Sequence, residues 1–237
     1  MTNYRVERAR DPQDLARRAA ETIAAQIDLA LDQRDRCQIA LSGGSTPANS
    51  YSLLGQERLP WDRVDVVLGD ERWVAAEDES SNAGMLRRTL LAPGPGASAS
   101  FHPVPTVELE SPEASAHAFA EQVSRLCSGV PPVFDVMLLG LGDDGHTASL
   151  FPGTDAPGVV DRWTTIGRGK GLDRITLTAP VLSAARQVIF LVSGAGKQEA
   201  LRRLLDSSES ADRTPARLVQ PASDVLILAD QDAAAGL

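Results

Sequence analysis

Short, nearly uninterrupted apolar runs recur along this chain, and each ends in glycine or polar residues: CQIALSGG at 37–44, VDVVLGDERW at 64–73, FDVMLLGLG at 134–142, QVIFLVSGAGK at 187–197 and DVLILAD at 224–230. A strand with one face in water alternates apolar and polar residues. A strand apolar at every position is covered on both sides, which is the pattern of a parallel sheet. Between these runs lie segments of helical spacing. Residues 11–35 put Leu15, Ala19, Ile23, Ile27 and Leu31 on one helical face. Residues 45–56 read as a helix with Thr46 as N-cap and Pro47 at the first helical position, 80–91 as a third helix, and 111–129 as a fourth capped by Ser111. RITLTAPVLSAA at 174–185 reads as a strand and then a short helix from Pro180, and 92–100 as a Pro/Gly loop. The alternation predicts an α/β fold, a mainly parallel sheet with helices on both faces. With 237 residues and no composition break, repeat or low-complexity tract, one domain over 1–237 is expected.

A net charge of −9 argues against a nucleic-acid or anionic-membrane partner, since both need a basic face. No apolar run approaches the length of a membrane span, and MTNYRVERAR lacks the apolar core of a secretory signal. Cys37 and Cys127 form no disulfide framework, and neither they nor the three histidines show metal-ligand spacing. The expectation is a cytoplasmic protein, monomeric or a small homo-oligomer, with neither metal nor other cofactor.

In parallel sheets ligands gather at the carboxyl ends of the strands. That rule lines up SGGST (42–46), GDER (69–72), GDDGH (142–146) and SGAGK (193–197). GLGDDG at 140–145 spells a dinucleotide fingerprint, but Pro152 and Gly153 stop the helix that such a loop must open, and two aspartates stand where phosphates would approach. LSGGSTP (41–47) suits an anion better: its glycines allow a tight turn, Ser45 and Thr46 offer hydroxyls, and the next helix points its first N–H groups at the loop. Only two of the 23 basic residues, Lys170 and Lys197, are lysine, and Lys197 follows the SGAG turn where it could meet the same anion. Arg168 lies in GRGKGLDR (167–174), read as a glycine-rich loop able to fold over a ligand. His146 sits in a polar glycine loop, with a ring suited to acid–base work near neutral pH and with Asp143 and Asp144 beside it. Asp70 and Arg72 alternate with Glu71 along a strand, so both can face one way. His102 and His117 look ordinary, and no G-x-S-x-G elbow supports a serine esterase.

Taken together, LSGGSTP, GDERWV…SN…M (69–85), GLGDDGHTASLFPG (140–153) and SGAGKQEAL (193–201) resemble the 6-phosphogluconolactonase family, within the larger group that holds the glucosamine-6-phosphate deaminases. The resemblance implies a modified Rossmann-like, deaminase-like fold. It also implies hydrolysis of 6-phospho-D-glucono-1,5-lactone to 6-phosphogluconate in the oxidative pentose phosphate pathway, without metal or nucleotide. Gly43, Gly44, Ser45 and Thr46 would hold the 6-phosphate, with Lys197 and Arg168 adding charge. His146 would be the base, Asp70 and Asp144 would orient it or bind hydroxyls, and Arg72 would meet the phosphate or the carbonyl oxygen. A deaminase is the main alternative, but its pattern carries a glutamate five residues after the histidine, where this chain has Phe151. A non-catalytic sugar-phosphate sensor is the other.

Overall fold

The computed structural model describes residues 2–237. In chain order it contains β1 (Tyr4–Ala9), α1 (Pro12–Leu31), β2 (Cys37–Leu41), α2 (Ser45–Leu54), β3 (Val64–Leu68), β4 (Asp70–Arg72), α3 (Asn82–Arg88), β5 (Ser100–Phe101), α4 (Pro112–Leu126), β6 (Val136–Gly140), β7 (Thr164–Gly169), β8 (Leu172–Leu177), α5 (Ala179–Ala184), β9 (Gln187–Val192), α6 (Gln198–Leu205) and β10 (Val225–Asp230). Seven strands form one sheet in the order β1-β10-β9-β6-β2-β3-β5, every pair parallel. All residues of β3 and β10 are buried, so both faces of the sheet are covered there. The long helix α1 begins where the Asp11 side chain accepts the Asp14 N–H at 2.8 Å. It turns Leu15, Ala19, Ile23 and Ile27 into the core.

Three local expectations are corrected. VDVVLGDERW is not one strand. β3 ends at Leu68, and Gly69 donates its N–H to Leu41 O while its own carbonyl accepts from Leu177 N–H, each at 2.9 Å. Gly69 is thus the step from the parallel sheet to a second, antiparallel sheet of order β4-β8-β7. The segment 167–174 is not a loop but a hairpin, turned by Lys170 (φ 55°) and Gly171 (φ 81°). Thr46 does not cap α2: Gly44, at φ 115°, is the N-cap and the helix starts at Ser45 with no side-chain cap. The first amides of α2 are therefore left free of a side-chain acceptor.

Candidate functional site

The strand ends surround a cavity of about 300 Å³. It brings together Gly43, Gly44, Ser45 and Thr46 from the β2–α2 turn, Asp70 and Arg72 from β4, His146 from the loop after β6, and Lys197 from the turn before α6. Asn82, Lys170 and Arg174 line it as well. Asp144 stands behind His146, and Arg168 is not part of the lining.

The glycines after β6 exist to fold His146 back on its own loop. Gly142 N–H donates to His146 O at 2.8 Å, and Gly145 takes φ 91°, a left-handed conformation that glycine adopts without strain. A Cβ on Gly142 would lie 2.0 Å from His146 Nδ1. One Asp144 oxygen accepts both the His146 backbone N–H at 3.0 Å and ring Nδ1 at 2.5 Å, and the ring packs on Phe151 with centroids 4.6 Å apart. Burial pushes the His146 pKa below its ordinary value, with Lys170 adding to the effect; the hydrogen bond and charge of Asp144 and the charge of Asp70 oppose it without cancelling it. Burial also raises the Asp144 carboxyl, but the hydrogen bonds from the His146 amide and ring, with the charges of His146 and Lys170, carry it below the usual range. Near neutral pH the pair is therefore a carboxylate and a neutral imidazole. An ionised carboxylate can only accept, so Nδ1 holds the proton and Nε2 has the free lone pair of a base.

This arrangement sets a pH dependence. For any reaction that uses His146 as a base, the imidazole must be unprotonated, so kcat/KM is expected to hold above the His146 pKa and to fall as pH drops through it. That pKa lies below about 6.5, and the acid limb is expected there. Asp144→Asn removes a group that raises the pKa, so the limb moves to still lower pH while the plateau kcat falls with the loss of the tautomer lock. A pH–rate profile of both proteins reads the two effects separately.

Asp70 is buried, and its Oδ2 accepts the Ser149 hydroxyl at 2.5 Å. Lys197 follows a turn shaped by the buried Asp230, whose carboxylate accepts from Ser193 Oγ at 2.5 Å and from the Gly194 and Ala233 N–H groups. Arg174 is 9 % exposed, its Nε has no hydrogen-bond partner, and its guanidinium lies 5.3 Å from the Phe151 ring centroid. Burial lowers its pKa, Arg72 adds to this, and Asp70 and Glu71 oppose it. The hairpin register explains why Arg174 and not Arg168 reaches the cavity. Arg174 pairs with Gly167 and Asp173 with Arg168. Directly opposed residues share a face and successive ones alternate, so Arg168 takes the face opposite to Arg174. It lies exposed, 3.5 Å from both Glu113 and Asp173. The glycines that suggested a mobile loop serve close packing: a Cβ on Gly167 would meet Ser149 O at 2.3 Å, and one on Gly169 the Phe151 ring at 2.6 Å. Lys170, at the hairpin tip, reaches the cavity and sits 3.5 Å from Asp143.

Sequence reasoning assigned no role to Arg174 or Asn82. The signal for Arg174 was a cross-strand register that no local pattern reports. Asn82 stands in the SN pair, but its partners come from β4 and the glycine turn.

The sequence matches the family described as glucosamine-6-phosphate isomerases/6-phosphogluconolactonase over residues 10–228. The chain belongs to that family. A 6-phosphogluconolactonase of Synechocystis sp. is 40% identical over 228 residues, 95% of each chain. The solved structure of a 6-phosphogluconolactonase from Trypanosoma brucei superposes with a TM-score of 0.87 at 28% identity, covering 100% of both chains. A monomeric glucosamine-6-phosphate deaminase shares the fold, with a TM-score of 0.78 at 21% identity over 98% of this chain and 99% of that one. The mainly parallel fold of the family is the one described above. No described helix is long and apolar enough to cross a membrane.

Proposed function

We propose that the cavity hydrolyses 6-phospho-D-glucono-1,5-lactone to 6-phospho-D-gluconate, with His146 as general base. The observation that carries this reading is the His146 ring, its Nδ1 paired with Asp144, lining a cavity whose other walls include a glycine turn and several cationic side chains. The free amides of α2, the Ser45 and Thr46 hydroxyls and Lys197 hold the phosphate. Arg72 belongs with them, because Asn82 Oδ1 accepts from its guanidinium while the Asn82 carboxamide packs against Gly43 of the same turn. Nε2 takes a proton from water as the oxygen adds to the lactone carbonyl. The C1–ring-oxygen bond then breaks, and the imidazolium returns that proton to the departing ring oxygen. The lactone hydrolyses in water unaided, so a general-base factor of about 10² to 10⁴ together with positioning suffices. Phe151, which packs on His146, has no group able to relay a proton, which weighs against deamination. The 6-phosphogluconolactonase names of the relatives support the same substrate. A cytoplasmic place in the oxidative pentose phosphate pathway is part of this reading.

The test follows lactone decay in real time, with the lactone made in place by glucose-6-phosphate dehydrogenase. The protein is expected to accelerate decay, and ammonia release from glucosamine 6-phosphate is expected to be absent. No acceleration would overturn the proposal. In the same assay Lys197→Ala should raise KM by roughly 10- to 100-fold with a smaller change in kcat, since the phosphate is held equally in ground and transition states.

A further inference from the structure

We propose that Asn82 is a positioning residue of this site: its carboxamide joins the Arg72 guanidinium and the 42–46 turn into one rigid anion pocket, and Glu71 holds Asn82 in place. The inference rests on the reading of that pocket as a phosphate site.

Asn82 is only 2 % exposed, and its carboxamide meets two separate elements of the cavity, β4 and the glycine turn. Oδ1 accepts from Arg72 Nη1 at 2.6 Å, and Nδ2 donates to the Asp70 carbonyl at 2.9 Å. The group also lies against Gly43, where a Cβ would come within 1.8 Å of Oδ1. The chain order 43, 72, 82 gives no reason for these groups to meet. The carboxamide is what joins them.

The chemistry of the acceptors matters as much as the distances. Arg72 is held by the Ser80 carbonyl and by Asn82 Oδ1, both neutral, and among the described residues it makes no ion pair. A carboxylate in either place would orient the guanidinium and neutralise it together. Neutral acceptors orient it and leave its charge for an incoming anion. The pocket keeps a fixed, unspent cation.

Beneath this lies Glu71, 2 % exposed. Its Oε1 accepts the backbone N–H groups of both Arg72 and Asn82 at 2.8 Å. Its Oε2 accepts from Ala83 N–H at 2.7 Å and from Ser81 Oγ at 3.2 Å. One carboxylate thus fixes the backbones of the two residues whose side chains pair, and it does so at the N-terminus of α3, where negative charge is favourable.

A merely structural Asn82 would pack the start of α3 and nothing more. The experiment separating the two roles uses Asn82→Ala, Asn82→Asp, Gly43→Ala and the double variant Gly43→Ala/Asn82→Ala. Each is read by KM and kcat for the lactone, by titration calorimetry with inorganic phosphate, and by thermal unfolding. The backbone bonds to Glu71 and the Ser81 cap do not involve the Asn82 side chain, so the Asn82 single variants keep the start of α3. Asn82→Asp keeps the acceptor but neutralises Arg72 and adds charge beside the turn; KM and the phosphate Kd should each rise about tenfold or more, with kcat within about threefold. Asn82→Ala should act in the same direction and less strongly. Gly43→Ala should weaken phosphate binding in the parent, and clearly less in the Asn82→Ala background, where the clashing carboxamide is gone.

The proposal is overturned if Asn82→Ala and Asn82→Asp lower only the unfolding midpoint while KM and phosphate Kd stay put. It is overturned equally if Gly43→Ala costs the same in both backgrounds, or if the parent binds no phosphate. A parent that binds phosphate but does not hydrolyse the lactone would refute the lactonase reading alone, and the phosphate titrations would still decide the role of Asn82.

Discussion

Replacing His146 with alanine is expected to lower kcat for lactone hydrolysis by about 10²- to 10⁴-fold and to leave the fold intact. The two halves of that statement rest on different features. The catalytic half rests on the proposed mechanism: the Asp144 bond consumes Nδ1, and Nε2 is then the lone pair that would take the proton from water. The structural half follows from what the ring touches. It bonds only Asp144 and packs on one face of Phe151, and the Asp144 side chain is 37% exposed, so water replaces the lost partner. The turn itself is held by the Gly142 N–H to His146 O and Gly145 N–H to Gly142 O bonds, which alanine keeps. The measurement pairs kcat with a thermal unfolding curve. Activity within tenfold of the parent would place the base elsewhere. A large drop in the unfolding midpoint would show that the ring matters mainly to the fold.

The parts of this fold that could be read from sequence are those whose burial leaves a mark on every residue. β2, β3, β6, β9 and β10 are apolar nearly throughout because both faces are covered. β1 was not anticipated, since YRVERA sits at a sheet edge, is mostly half-exposed or exposed, and so keeps its arginines and glutamate. The second sheet was hidden for another reason. Asp70, Glu71 and Arg72 look like the continuation of β3, and only the hydrogen bonds of Gly69 to two different strands reveal the change of partner. The same division runs through the site. The glycine turns and the Asp-Asp-Gly-His loop announce themselves locally, because tight turns and polar strand ends demand particular residues. Which arginine of the hairpin reaches the cavity depends on its register, and a pattern of glycines cannot report register. The Thr46-Pro47 pair likewise pointed to a cap at Thr46, later in the chain than the observed one. The observed start, with Gly44 as N-cap, leaves the first amides of α2 without a side-chain acceptor, which suits the proposed anion site.

Arg174→Met should separate stability from function in a single substitution. A guanidinium 9 % exposed, with an unpartnered Nε and with no ion pair among the described residues, costs the empty protein desolvation that nothing fully repays. The depressed pKa of Arg174 has the same origin in burial. Methionine fills similar volume and packs well on the Phe151 ring that the guanidinium now covers. Relief of about 1 kcal/mol should raise the unfolding midpoint by roughly 2–4 °C for a chain of this size. Against it stands the loss of a favourable charge near Asp70 and Glu71, two buried acids. Both already have other donors, Ser149 for the first and three backbone amides for the second, so the desolvation effect should win. Substrate binding should move the other way. Loss of a charged hydrogen bond to an anionic ligand costs about 1.5–3 kcal/mol, or roughly 10- to 100-fold in KM. Arg168→Met is the natural control: its exposed pairs with Glu113 and Asp173 contribute at most about 1 kcal/mol, and KM should not change. If Arg174→Met lowered the midpoint and left KM alone, the cation would be structural and the charge facing the ligand would have to come from Arg72 and the lysines. If it raised both, the site holds its strongest charge at the expense of its own stability, which is the cost of leaving a cation unpaired until the substrate supplies the partner.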